Sequence, residues 1–301
     1  MTVRALLALL VSFLLGLPAA AQDMGRRIEY TEVRAAGLQV QRLTIWLPPG
    51  YDAAERRYPV LYMHDGHNLF DLANSNFHKI WAADKAMLAV MAKGVEPRII
   101  VGIWAPGNDR FRQYLPRPVY DAAPPALRAK MDAMTGGPVI SDAYLAWLAD
   151  TLKPWVDRSF RTRPGREDTA IAGSSMGGLM SCYAIAARPD VYGQAACISS
   201  HWPAVGPETV KGFDPDTLDV WLGFLDHSLG APNGRRIWMD HGTATLDVFY
   251  APYQIPIDAR FEKLGWQRGA DFESRVYPGA EHEENAWAAR LPEILSWLFR
   301  R

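Results

Sequence analysis

Short apolar segments recur along this chain of 301 residues, and stretches with helical periodicity separate them. The apolar segments predict strands over residues 58–66, 97–106, 168–173, 194–200, 235–242 and 272–279. Continuous apolar runs of this length are typical of strands that are buried on both faces of a sheet. The periodic stretches predict helices over about 80–93, 141–157, 176–187, 247–264 and 284–300. The alternation predicts an α/β fold with a mostly parallel, twisted sheet and helices on both faces.

Residues 28–50, before the first of these apolar segments, have a different pattern. Residues 28–50 alternate apolar and polar positions, as in LQVQRLTIWLPPGY, and the alternation stops at Pro48-Pro49-Gly50. Alternation of period two that ends in a turn signal is typical of antiparallel strands. We therefore expect antiparallel strands at the N-terminal side of the sheet.

Two longer segments interrupt the alternation of strands and helices, at about 115–140 and about 202–234. Long connections at strand ends in such sheets are common places for ligands. The second segment carries Trp202, Trp221 and Phe224, which are candidate walls of a substrate pocket. The sequence shows no internal repeat and no low-complexity linker, so residues 22–301 are predicted to form one domain with these two insertions.

The first 21 residues have the layout of a secretory signal. Arg4 precedes an apolar run from Ala5 to Leu17, and Ala19-Ala20-Ala21 offers small residues for cleavage. The run is shorter than a membrane-spanning helix requires. The sequence therefore predicts cleavage after Ala21 and an exported protein, periplasmic or secreted, that is not held in a membrane.

Composition excludes some classes of partner. The chain is 49% hydrophobic and 22% charged, with a formal net charge of −1. A near-neutral balance argues against general attraction to nucleic acid or to an anionic membrane. The two cysteines, Cys182 and Cys197, do not form a disulfide framework, and they are predicted to be small buried residues.

The segment Gly173-Ser174-Ser175-Met176-Gly177 matches the pattern G-x-S-x-G with Ser175 at its centre. A short apolar strand precedes it and a helical stretch follows it, which is the context of a nucleophile elbow. The tight turn lifts the central serine above the sheet, and residues without bulk allow the close approach of strand and helix. Ser175 is therefore the candidate nucleophile, and Ser174 is predicted to point into the structure.

A serine hydroxyl requires a base, and in this strand order the acid and then the base follow the nucleophile. His282 lies after the last predicted strand and before the last helix, which is where the base is expected. For the acid, Asp247 follows the turn at Gly242-Thr243, while Asp240 lies within a strand. We favour Asp247 and keep Asp240 as the alternative. The neighbouring acids Glu281, Glu283 and Glu284 could also hold the imidazole ring.

The oxyanion of such a reaction is bound by main-chain N–H groups. One should follow the nucleophile, at Met176, and the other should come from the turn after Asp65, at His67. His64 and His67 could be read as half of a metal site, but no third ligand has recognisable spacing. We predict neither a metal site nor a cofactor, since this chemistry requires none.

Four motifs now resemble one known family. The four motifs are YPVLYMHDGHNLFD, IIVGIWAPGNDRFRQYLP, AIAGSSMGGL and YPGAEHEENAW. They occur in the order and at the spacing of the Putative esterase family of α/β hydrolases, which the chain resembles from about residue 38 to residue 299. That family includes enterochelin esterases, feruloyl and acetylxylan esterases, S-formylglutathione hydrolase and the mycolyltransferase antigens. The resemblance implies the α/β-hydrolase fold and a Ser-Asp-His hydrolase with Ser175 and His282 in the matching positions. Ala244 stands where family members often carry the acid, which leaves the choice of acid open.

The expected activity is hydrolysis of a small carboxylic ester through an acyl-enzyme. Two alternatives share this fold: an acyltransferase, in which an alcohol replaces water, and a ligand-binding protein without activity. The complete set of serine, histidine and acid argues against the second, because a binding protein does not need all three.

Overall fold

One mixed sheet of eight strands organises the protein. The computed structural model describes residues 23–300. The strands are β1 (Arg26–Val33), β2 (Gln41–Leu47), β3 (Val60–His64), β4 (Ile99–Ile103), β5 (Thr169–Ser174), β6 (Gln194–Ile198), β7 (Arg236–Gly242) and β8 (Phe272–Tyr277). Their spatial order is β1-β2-β4-β3-β5-β6-β7-β8.

The strand directions confirm the predicted fold class. β1 pairs with β2 and β2 with β4 in antiparallel register, and every later pair from β4 to β8 is parallel. Parallel neighbours require crossover connections, and helices supply them here. The carboxyl ends of β3 to β8 therefore meet at one edge of the sheet, which is where ligands bind in folds of this kind.

Helices cover both faces of the sheet. They are α1 (Ala83–Met91), α2 (Arg110–Tyr114), α3 (Arg117–Ala122), α4 (Pro125–Thr135), α5 (Ser141–Ala146), α6 (Lys153–Ser159), α7 (Met176–Ala187), α8 (Pro215–Ser228), α9 (Ala251–Lys263) and α10 (Glu284–Leu298). α1 and α10 pack together over one apolar face, which includes Leu61 and Ile100. Most of the other helices contribute to the core on the opposite face, with Val60 and Ile99. A π-helical segment, Trp147–Leu152, joins α5 to α6.

Three helices lie in the two segments that interrupt the sequence pattern. α3 and α4 occupy most of residues 115–140, and α8 lies within residues 202–234. Each of these helices has proline in its first two positions. Proline is compatible with the first turn of a helix, where its missing N–H has no intrahelical acceptor. Pro118, Pro125 and Pro215 therefore lie in the first turns of helices within the two segments.

The predicted secretory segment, residues 1–21, lies outside the described residues. Within residues 23–300, no helix combines the length and the apolar character needed to cross a bilayer. Cys182 and Cys197 are free and buried, as the sequence predicts.

Candidate active site

Ser175 lies in the turn between β5 and α7, at the carboxyl edge of the sheet. Its backbone has φ 56° and ψ −122°, a combination that costs energy for a residue with a side chain. Two main-chain hydrogen bonds hold the turn: Ser175 N donates to Ile198 O at 3.0 Å, and Ser175 O accepts from His201 N at 3.2 Å. The strained turn is thus fixed by the neighbouring strand β6 and the loop that follows it.

Glycines allow the strand and the helix to approach at this turn. A Cβ atom on Gly173 would lie 2.7 Å from the carbonyl carbon of Gly177, which is closer than real Cβ contacts. A Cβ on Gly177 would lie 3.2 Å from the Cβ of His64. Gly178 is equally confined, since its Cβ would lie 2.6 Å from Ser200 Oγ. The glycines of the motif therefore have the steric role that the sequence predicts.

His282 lies in the loop between β8 and α10, and its ring is held by Asp247. The distance from His282 Nδ1 to Asp247 Oδ1 is 2.6 Å. The main chain of the loop is also fixed, because His282 N donates to Thr245 Oγ1 at 2.8 Å. Asp247 lies in a short 3₁₀ turn, Thr245–Phe249, and not at the start of a helix as predicted.

The second oxygen of Asp247 is also occupied. Asp247 Oδ2 accepts from Ser199 Oγ at 2.7 Å and from Gly242 N at 2.5 Å. Burial alone would raise the pKa of this carboxyl, but the hydrogen bonds from His282, Gly242 and Ser199 hold the pKa below its ordinary value. Asp247 is therefore a buried carboxylate that is stabilised in its charged form and oriented towards the imidazole.

Asp240 lies in β7 and has different partners. It is fully buried, and its Oδ1 forms a salt bridge with Arg290 Nη2 at 2.7 Å. Its Oδ2 accepts from Trp238 Nε1 at 2.7 Å. Burial raises the pKa of the Asp240 carboxyl, and the Arg290 charge acts against that rise. Of the two candidate acids, only Asp247 is hydrogen-bonded to His282.

The two acids that follow His282 in the sequence, Glu283 and Glu284, have partners other than its imidazole. Glu283 accepts from the N–H groups of Asn285 and Ala286, which caps α10, and it pairs with Lys79. Glu284 Oε1 accepts from Asn68 Nδ2 at 3.2 Å. Neither carboxylate is hydrogen-bonded to the imidazole.

The two candidate oxyanion donors lie at the ends of adjacent strands. Met176 is the first residue of α7, and His67 lies in the 3₁₀ turn Gly66–Asn68 that follows β3. Within residues 23–300, neither main-chain N–H has a hydrogen-bond acceptor. Both groups are therefore free to bind a ligand.

Ser175 and His282 line the same pocket, whose volume is about 420 Å³. Ser174 is buried but also borders this pocket, together with His67, Trp81 and Trp287. One wall thus comes from the loop after β3 and another from the start of α10. The serine and histidine candidates, far apart in sequence, are brought into one cavity.

The three aromatic residues proposed as pocket walls lie elsewhere. Trp202 and Trp221 are fully buried, with ring centroids 5.0 Å apart, and Trp221 Nε1 donates to Trp202 O. Phe224 packs edge-on against Trp221 and borders a separate cleft near α3. None of the three lines the pocket of Ser175 and His282, and all three are corrected to core residues, because their rings pack against one another and against Tyr183.

Comparison with known proteins adds to this geometry. A model of the Putative esterase family matches residues 39–298. The chain belongs to this family. Family membership identifies the protein as a carboxylic ester hydrolase, and we refer to it below as the esterase.

Solved structures of known proteins have a similar fold. A ferulic acid esterase superposes with a TM-score of 0.62 at 19% identity, covering 92% of this chain and 97% of that chain. An IroE-like serine hydrolase from Shewanella oneidensis has a TM-score of 0.64 at 17% identity, covering 91% and 80%. The α/β-hydrolase fold implied by the resemblance is confirmed. Among curated proteins, the uncharacterized protein YbbA of Bacillus subtilis is 25% identical over 203 residues, which are 65% of this chain and 70% of that protein.

A buried network behind Asp247 was not predicted from the sequence. Ser199 Oγ donates to Asp247 and accepts from Trp287 Nε1 at 3.1 Å and from Arg290 Nη2 at 2.7 Å. Arg290 in turn pairs with Asp240. One sequence signal was available: Arg290 stands three residues after Trp287 on the apolar face of α10, where a charged residue requires a buried partner.

Tyr250 and His201 form a hydrogen-bonded pair beside His282. The ring of Tyr250 packs edge-on against the imidazole, with centroids 5.7 Å apart. His201 Nε2 donates to Val205 O at 2.7 Å, so its Nδ1 accepts the Tyr250 hydroxyl proton at 2.8 Å. Burial lowers the pKa of His201 to about 4, which keeps the ring neutral. Tyr250 is thereby fixed beside His282 and Ser175.

Residues 23–300 contain no group of three or more histidine, cysteine or acidic side chains arranged to hold a metal ion.

Proposed function

We propose that the esterase cleaves carboxylic esters through a triad of Ser175, His282 and Asp247 and a covalent acyl-enzyme. The observation that carries the proposal is that Ser175 and His282 line one pocket while Asp247 holds His282 Nδ1 from behind. A serine in a strained elbow and an imidazole oriented by a buried carboxylate are the parts that acyl transfer requires.

The first step is attack of Ser175 Oγ on the acyl carbon of the ester. His282 Nε2 accepts the hydroxyl proton, because Nδ1 is committed to Asp247. The imidazolium that forms is stabilised by the adjacent carboxylate, which remains ionised. Asp247 is suited to this role because its hydrogen bonds keep its pKa low.

Charge on the former carbonyl oxygen is stabilised by main-chain donors. The N–H groups of Met176 and His67 are free, and Met176 begins α7, whose N-terminus favours negative charge. The tetrahedral intermediate then breaks its bond to the alcohol oxygen, and His282 gives that oxygen the proton. Water, activated by His282, attacks the acyl-enzyme and releases the carboxylic acid and free Ser175.

Small-molecule esters are the substrate class that fits the family and the size of the pocket. Ferulic acid esterase is among the proteins of similar fold, and a pocket of about 420 Å³ suits a substrate of that size. We also propose that the esterase acts outside the cytoplasm, because residues 1–21 have the layout of a secretory signal. N-terminal sequencing of protein recovered from cells tests this: a mature chain that retains residues 1–21 would contradict export.

Covalent labelling tests the proposed nucleophile. Native enzyme is incubated with a fluorophosphonate, and peptides are mapped by mass spectrometry. We expect one stoichiometric adduct on Ser175 and parallel loss of hydrolysis of short-chain p-nitrophenyl esters. Heat-denatured protein is the control, since its serines lack an oriented base. A native enzyme that forms no adduct and releases no p-nitrophenol would instead be a ligand-binding protein.

Ser199→Ala is expected to lower kcat about tenfold with little change in KM, because a hydrogen bond to a charged group is lost outside the pocket. Steady-state kinetics with a p-nitrophenyl ester measures both constants. Ser200→Ala is the matched control, since the adjacent buried Ser200 hydroxyl has no hydrogen-bond partner within residues 23–300. A Ser199→Ala enzyme with normal kcat would show that the network behind Asp247 is only structural.

A further inference from the structure

The active-site pocket has more carboxylates than lysine and arginine side chains to pair with them. Arg110 forms a bidentate salt bridge with Asp65, at 2.7 and 2.8 Å. Lys79 Nζ lies 2.9 Å from Glu283 Oε2. All four side chains line the pocket, and each positive charge has its own carboxylate. The pocket therefore offers no free cation to an anionic substrate.

Glu284 is the remaining carboxylate of the pocket wall. It is 6% exposed and accepts one hydrogen bond from the neutral amide of Asn68. Within residues 23–300, no lysine, arginine or histidine lies within salt-bridge distance of it. With both ion pairs formed and Glu284 ionised, the wall carries one negative charge without a counter-ion. Burying a carboxylate in this way is unfavourable, and a bound cation would compensate for it.

Aromatic rings line the same pocket. Trp81 and Trp287 have ring centroids 5.5 Å apart, and Phe77 is 67% exposed at the pocket rim. The faces of such rings attract ammonium groups, and aromatic rings combined with a carboxylate form a common recognition site for alkylated amines. The rings and Glu284 therefore favour the same kind of ligand.

We propose that this pocket selects esters that carry an alkylammonium group, and that Glu284 is the residue that determines this preference. The proposal rests on the proposed function, because it assigns the substrate class of the same pocket. An ammonium group on the acyl or alcohol part would face the Glu284 carboxylate and the aromatic rings while the ester bond lies at Ser175. Anionic esters would meet the uncompensated negative charge and be disfavoured.

Matched pairs of substrates test the proposal with the full-length enzyme. For a charge in the alcohol part, acetylcholine is compared with its neutral isostere, 3,3-dimethylbutyl acetate. For a charge in the acyl part, the methyl ester of 4-(trimethylammonio)butanoate is compared with methyl 5,5-dimethylhexanoate. Because burial raises the pKa of Glu284, kcat/KM is measured at mildly alkaline pH. We expect the charged member of at least one pair to be favoured about fivefold or more.

Glu284→Gln is expected to bring that ratio close to one, since only the charge is removed. Glu281→Gln is the matched control, because it removes an exposed carboxylate three residues away that does not line this pocket. Loss of the preference in both variants would indicate a general field effect and overturn the role of Glu284.

The outcomes separate this proposal from the triad. If the wild type hydrolyses the neutral esters but prefers neither charged ester, the substrate class is wrong and the proposed function stands. A preference that persists in Glu284→Gln also overturns the proposal. If no ester of either pair is hydrolysed but a p-nitrophenyl ester is, the substrate class is wrong and the proposed function stands; if the p-nitrophenyl ester is not hydrolysed either, both fail.

Discussion

Replacing Ser175 with alanine should reduce kcat for ester hydrolysis by about 10⁴-fold or more, without a comparable rise in KM. The hydroxyl oxygen is the only heavy atom removed, and without it no acyl-enzyme forms. The remaining rate comes from the oxyanion donors and from substrate binding alone. Stopped-flow release of p-nitrophenol measures the effect, and the burst that accompanies acylation should disappear.

Ser181→Ala is the matched control for this experiment. Ser181 is buried on α7, the helix that follows Ser175, and its hydroxyl donates to Gly177 O at 2.8 Å without lining the pocket. We expect a rate within about twofold of wild type, because substitutions away from the reacting atoms have small effects. If Ser175→Ala kept wild-type kinetics, the elbow would not supply the nucleophile.

Asp247→Asn should lower kcat by about 10² to 10⁴-fold with the fold intact. The amide cannot stabilise the imidazolium, and its NH₂ group favours the tautomer of His282 in which Nδ1 accepts, so that Nε2 carries a proton and cannot act as a base. Steady-state kinetics measures the loss, and the thermal unfolding midpoint checks the fold.

Asp240→Asn provides the comparison that the sequence leaves open. It removes the partner of a buried guanidinium, and breaking such a pair costs about 3–5 kcal/mol of stability. We therefore expect a clear decrease in unfolding midpoint and less than about a tenfold loss of kcat at a temperature where the variant is folded. A large loss of kcat confined to Asp240→Asn would make Asp240 the acid and contradict the assignment of Asp247.

Local rules made much of the fold and part of the site predictable. Continuous apolar runs identified the buried strands β3 to β7, because strands covered on both faces have no polar side. The elbow at Ser175 could be recognised because its glycines are adjacent in sequence to the residue that they accommodate. Arg290 gave a weaker signal, since only its place on an apolar helix face indicated a buried partner.

Other features depended on which segments pack together. Residues 115–140 and 202–234 interrupt the predicted alternation, but they contain the helices α3, α4 and α8, each with proline in its first turn. Trp202 and Trp221 were predicted to wall the pocket, but both are buried and their rings pack edge-on against each other. The wall is formed instead by Trp81 and Trp287, which belong to two distant segments.

The sequence by itself determined the strand pattern, the elbow at Ser175 and the choice of His282 as the candidate base, since each depends on local pattern and chain order. Only the tertiary structure decided which aspartate holds the histidine. Asp240 and Asp247 are seven residues apart, and both are buried near Ser199. The strand directs Asp240 to Arg290 on α10, whereas the 3₁₀ turn brings Asp247 to within 2.6 Å of His282. That choice depends on the pairing of β7 with β8 and the packing of α10, which no local pattern contains.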